Sequence, residues 1–170
     1  METQPRPMRL HKREVTDAAQ LAAIIDRADV VRVGQVDDEG VFIVPMSFGY
    51  ETSGTPEAST WTFWLHCAGE GRKVDAWRAN PQVALELDAA AEVISGTYAC
   101  AYSQAYESIM ATGTIAQVED PAEKTHGLER IMAHMAPGAP VTFSPEAVER
   151  VSVWKVDVTR LTGKRREPKA

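Results

Sequence analysis

Two stretches rich in β-branched residues, Val30–Val36 and Val41–Tyr50, are separated by only four residues, Asp37-Asp38-Glu39-Gly40. Gly40 is free to take positive φ, so the junction reads as a hairpin turn. A hairpin fixes antiparallel pairing at the start of the sheet. A parallel doubly wound sheet would need a helix after nearly every strand, and this junction leaves no room for one. Pro45 lies inside the second stretch. A proline cannot donate to a ladder, so it marks an edge, a bulge or a ligand site.

Later segments extend the pattern. Trp61–His66 is an aromatic strand, Gln82–Leu87 alternates apolar and polar residues, and Val151–Val158 alternates cleanly. Tyr106–Glu119 reads as a long strand with a bend at Gly113. Glu51–Ser59 reads as a polar loop, and Asp88–Ser103 as an irregular strand and loop. Short helices are expected over Asp17–Arg27, over Arg72–Ala79, from Asp120-Pro121 onward and from Ser144-Pro145. The third carries an apolar stripe of Leu128, Ile131, Met132 and Met135. Six strands with few helices predict a mainly β fold, a six-stranded antiparallel barrel with short peripheral helices.

The 170 residues suit one domain. Residues 1–12 read as a flexible N-terminal segment, 13–164 as the domain and 165–170 as a solvated tail. The net charge of −6 argues against nucleic-acid or membrane-surface partners. Cys67 and Cys100 make no ligand pattern. No signal core or membrane-length apolar run is present, so a cytoplasmic protein with free thiols is expected.

Gly71-Arg72-Lys73 carries most of the chemistry. Two cations open a helix there, against the helix dipole. A bound anion reverses that penalty, because backbone N–H groups and both cations converge on it. Arg72 and Lys73 facing solvent, balanced by Glu70 and Asp75, is the competing reading. His66 ends the aromatic strand just before, placed to hydrogen-bond a ligand or carry a proton. Val44–Tyr50 offers the Ser47 hydroxyl and free backbone groups to a heterocycle. Trp154 fits core or dimer packing. His126 and His134, eight apart, read as surface residues. No hydrolase elbow, Walker loop or dinucleotide fingerprint is present.

In order, Val44–Tyr50, Leu65–Lys73, Asn80-Pro81, Tyr106-Glu107-Ser108 running into Gly113, and Leu161–Lys164 resemble the pyridoxamine 5′-phosphate oxidase-like, FMN-binding split-barrel superfamily. The resemblance is to its nitroimidazole-resistance branch, and the spacing from His66 to Lys73 is its most specific part. It implies a six-stranded split barrel and a homodimer with FMN in each interface cleft. Gly71, Arg72 and Lys73 would hold the phosphate, and Pro45, Met46, Ser47 and Phe48 would line the isoalloxazine. Tyr106 and Ser108 would reach the flavin from the partner subunit. His66 would stand near the flavin, as the one catalytic candidate. The expected activity is a flavin-dependent reductase that takes electrons from a nicotinamide donor and acts on a small electrophile, nitroaromatics included. The alternatives are a non-catalytic flavin carrier or sensor, and a barrel that holds FAD, haem or a deazaflavin. No metal site is expected.

Overall fold

The computed structural model describes residues 6–55, 58–89 and 92–168. The chain runs through β1 (Glu14–Val15), α1 (Ala18–Asp26), β2 (Val31–Asp37), β3 (Gly40–Met46), β4 (Phe48–Thr55) and β5 (Ala58–Cys67). It continues through α2 (Arg72–Ala79), β6 (Gln82–Ala89), β7 (Val93–Ile94), β8 (Ser103–Gln104) and β9 (Tyr106–Val118). It ends with α3 (Pro121–Met135), α4 (Pro145–Arg150) and β10 (Ser152–Arg166).

The long strands pair in the order β3-β2-β6-β9-β10-β5-β4, all antiparallel, and β1 adds to β10. β3 and β4 are the two edges of that order, yet only Ser47 lies between them. Consecutive Cα atoms are about 3.8 Å apart, so edges joined by one residue must meet in space. The sheet therefore curls into a barrel. Counted as hydrogen-bonded segments the barrel has seven strands; counted with β3 and β4 as one bent run it has six.

Residues of one pleat face fill the barrel, among them Val33, Leu85, Ile109, Val156 and Phe63. α1 buries Ile24 and Ile25 beside the start of β9, where Arg27 pairs with Glu107. α2 closes the other end with Val74 and Trp77. The Trp77 ring lies tilted against Trp154, with centroids 5.0 Å apart, and donates from Nε1 to Gln35 Oε1 at 2.9 Å. Trp154 is thus core. α3 and α4 cover the outer side of β5 through Leu128, Ile131, Val148 and Trp64. No described helix is long and apolar enough to cross a membrane.

Several helix starts follow from local chemistry. Asp17 accepts from Gln20 N at 2.9 Å, Asp120 from Glu123 N at 2.8 Å, and Ser144 from Ala147 N at 3.2 Å.

Four expectations change. Val41–Tyr50 is not one regular strand but turns at Ser47. Glu51–Ser59 is not a loop: β4 and β5 pair as far as Thr55 and Ala58. Its Ser and Thr side chains face solvent on an exposed hairpin, which composition alone presents as loop. β10 continues to Arg166, opposite Tyr106, so the strand enters the expected tail. Met135 is exposed rather than part of the α3 stripe. Asp88–Ser103 holds the end of β6, the short β7 and a 3-10 turn at Ala99–Ala101.

Candidate functional site

The turn before α2 is built on Gly71, whose φ of +114° suits glycine. No side chain caps the helix, so the N–H groups of its opening residues have no capping partner. Arg72 turns to the β2–β3 hairpin. Its Nε donates to Asp37 Oδ2 at 2.7 Å and its Nη2 to Oδ1 at 3.0 Å. The Arg72 hydrogen bond holds the Asp37 carboxyl below its usual range, against burial. Lys73 is half-buried on another side. Burial pushes the Cys67 thiol up, while Lys73 and Arg78 pull it down.

Of the four strand residues at the corner, Pro45 and Ser47 are exposed, and Met46 and Phe48 are buried. The Phe48 ring packs 4.1 Å from His134 and 5.8 Å from Phe63. Phe48 offers only backbone to a ligand; its side chain is core. Phe48 pairs with Leu65, which brings the exposed Ser47 and His66 next to each other beside that pair. His66 in turn lies opposite Val153.

Tyr106 and Ser108 stand elsewhere. Arg78 Nη2 bridges Gly69 O and Gln117 Oε1, tying the α2 turn to the last residues of β9. Tyr106 is the first residue of that strand. At about 3.3 Å per residue, the two lie on the order of 30 Å apart. One chain therefore does not bring Tyr106 and Lys73 to one small ligand.

The Tyr106 end is basic. Ser108 pairs with Lys164 and Tyr106 with Arg166. Burial raises the Tyr106 phenol, but Arg13 and Lys164 outweigh it and the net shift is downward. The α2 end carries Asp37, Asp38, Glu39 and Asp75 around Arg72. Between the ends lies a groove of about 480 Å³ on the outer face, floored by Gly34, Ile43, Ala84 and Met110 and rimmed by Ser108 and Lys164. Val41 is 81 % exposed, Ile43 64 % and Met110 65 %. Ile43 and Met110 are thus large apolar side chains left open to solvent beside the groove.

Sequence reasoning missed Arg78, whose guanidinium gains its place partly from Gln117, 39 residues away. His126 and His134 are also not free surface residues. His126 Nε2 meets Glu51 Oε2 at 2.8 Å, and Trp64 Nε1 donates to Glu51 Oε1 at 3.2 Å. His134 Nε2 lies 2.8 Å from Ala28 O. Eight-residue spacing keeps both on the α3 face that packs on β4.

The pyridoxamine 5′-phosphate oxidase family description matches residues 17–165. This chain belongs to that family. Among solved structures it is similar to a candidate 5-nitroimidazole antibiotic resistance protein of Bacteroides thetaiotaomicron, at 35% identity. That match covers 89% of this chain and 86% of the other, with a TM-score of 0.76. The flavocytochrome Anf3 of Azotobacter vinelandii shares the fold at 20% identity, over 96% of this chain and 74% of that one, with a TM-score of 0.76. A FAD and heme binding protein of Mycobacterium smegmatis does so at 17% identity, over 93% and 76%, with a TM-score of 0.77. No curated protein matches in sequence.

Proposed function

We propose that this chain is an FMN-binding flavoprotein that works as a homodimer, with each flavin held between the α2 end of one subunit and the Tyr106 end of the other. The observation that carries this reading is the separation of the two half-sites. Within one chain they lie a strand's length apart. A two-fold axis across the exposed Val41–Ile43–Met110 face brings one end of each chain to the opposite end of its partner. The acidic α2 end then meets the basic Tyr106 end, which favours that pairing.

The residues fit FMN. The uncapped start of α2 and Lys73 suit a phosphate. The apolar groove suits a flat ring, and Ser47, His66 and Ser108 offer hydrogen bonds at its margin. Flavin binding by relatives in the same fold, one named as a FAD and heme binding protein and one as a flavocytochrome, supports this ligand class. Bound flavin would supply electron transfer from a nicotinamide donor to a small electrophile, a nitroaromatic among the candidates. The chain's part is to orient the ring, exclude water and offer the His66 imidazole as a proton carrier.

The test is to mix two inactive variants, Lys73→Gln and a Tyr106→Ala, Ser108→Ala double, under conditions that exchange subunits. A shared site restores one intact flavin site per mixed dimer. A site built within one chain restores none.

A further inference from the structure

The chain is acidic overall, with a net charge of −6, yet two segments run against that sign. Residues 6–13 carry Arg6, Arg9, Lys12 and Arg13 and no carboxylate. Residues 160–166 of β10 carry Arg160, Lys164, Arg165 and Arg166, again with none. The fold lays the two segments side by side. Glu14 of β1 pairs with Lys164, the chain doubles back at the 3-10 turn His11–Arg13, and Arg160 Nη2 donates to Arg6 O at 3.1 Å. Among the described residues only Arg165 of this set has a carboxylate within ion-pair distance, from Glu107 and Glu167.

Arg160, Thr162 and Lys164 alternate onto one face of β10 and line the apolar groove of the outer face. β10 lies beyond β9 from β2 and β3, so this strip borders the groove on the side away from Ile43. It begins where Lys164 pairs with Ser108 and runs to Arg160, opposite Thr112, about 13 Å along the strand. Arg32, the cation on the β2 side of the groove, is held by Glu86 at 3.0 Å and Asp88 at 2.6 Å. The positive charge left without a carboxylate therefore lies along β10.

We propose that this strip, led by Arg160 and Lys164, receives the diphosphate of a dinucleotide nicotinamide donor. This rests on the reading of the outer-face groove as the flavin-ring site. The donor's nicotinamide must lie against that ring to react. Only a ribose separates the nicotinamide from the diphosphate, so the diphosphate comes down at the margin of the groove. β10 is the margin with cations free to meet it. Arg160 is exposed and Lys164 half-buried, so both can reach a ligand from solvent. Charges at such a margin act on capture of the donor, and so on KM and its salt dependence rather than on kcat.

The experiment uses the full FMN-loaded chain and two reductants. NADH carries the diphosphate; N-benzyl-dihydronicotinamide offers the same ring with no phosphate. Bleaching of the flavin absorbance follows both. Arg160→Gln and Lys164→Gln should each raise KM for NADH about threefold to tenfold, with kcat within about twofold. Arg160→Lys should keep most of the parent KM. KM for the neutral donor should not move, and added salt should raise KM for NADH alone. Both Gln variants should stay dimeric and keep their FMN. An unchanged KM for NADH, or an equal rise for both reductants, overturns the proposal and leaves the flavin site standing. So does a parent flavin that the neutral donor reduces and NADH does not. A rise that comes with dissociation into monomers, or with loss of FMN, also overturns it, and assigns the strip to the subunit contact or to the flavin. A parent chain that takes up no FMN overturns the flavin reading, and the proposal falls with it.

Discussion

Met46 and Phe48 are separated by one residue and belong to opposite edges of the sheet: Met46 pairs with Val31, Phe48 with Leu65. The corner at Ser47 closes the barrel. It also sets the chemistry of the segment, because it leaves Pro45 and Ser47 outside and drives Phe48 into the core.

Phe48→Ala should therefore act as a core truncation. The ring is wholly buried between Phe63 and His134. The expected loss is about 3–5 kcal/mol, a fall in Tm on the order of 10 °C. Thermal unfolding of the apoprotein measures it. A loss below about 1 kcal/mol would place the ring outside the core.

Gly49→Ala should lever α3 off the sheet. A Cβ at this position would lie 2.2 Å from the Arg130 carbonyl carbon, which is backbone and has nowhere to go. The expected cost is about 1–3 kcal/mol. Trp64 sits under α3, so its fluorescence should change as well. A neutral substitution would mean that α3 docks more loosely than this contact requires.

Glu107 should make stability depend on acid. Burial raises its pKa, but bonds from Arg27 and Arg165 outweigh this and hold it below the usual range. Arg165 Nε reaches it at 2.5 Å. A carboxyl whose folded pKa is depressed stabilises the fold fully above its unfolded pKa, about 4.5. That contribution is lost as pH falls through the lower folded value. Glu107→Gln should cost about 1 kcal/mol at neutral pH, or about 2–4 °C in Tm. The gap from the parent protein should narrow in acid. A gap that stays constant to pH 3 would show that the ion pairs contribute nothing.

The exposed face is tested by charge. Ile43→Asp, placed where the side chain is 64 % exposed, leaves the barrel core untouched. The variant should fold, sediment as a monomer and lose flavin. A variant that is still dimeric and still yellow would put the contact surface elsewhere.

What was legible in the sequence was local. Asp17, Asp120 and Ser144 announce their helices because a cap acts within three residues. Gln82–Leu87 and Val151–Val158 show their faces because a strand alternates by two. The turn at Ser47 was not legible, since both sides of it look like strand and only distant partners tell them apart. Arg72 and Lys73 looked alike for a similar reason. The carboxylate that separates them, Asp37, is 35 residues away. His126 hid its partner too, because Glu51 sits in a stretch whose polarity resembles loop.

The most direct measurement is the visible spectrum of the purified protein, before and after saturation with FMN and desalting. A yellow dimer is expected that retains one FMN per chain, with no Soret band. A protein that stays colourless after FMN is added would contradict the flavin site, and a Soret band would replace the flavin by haem.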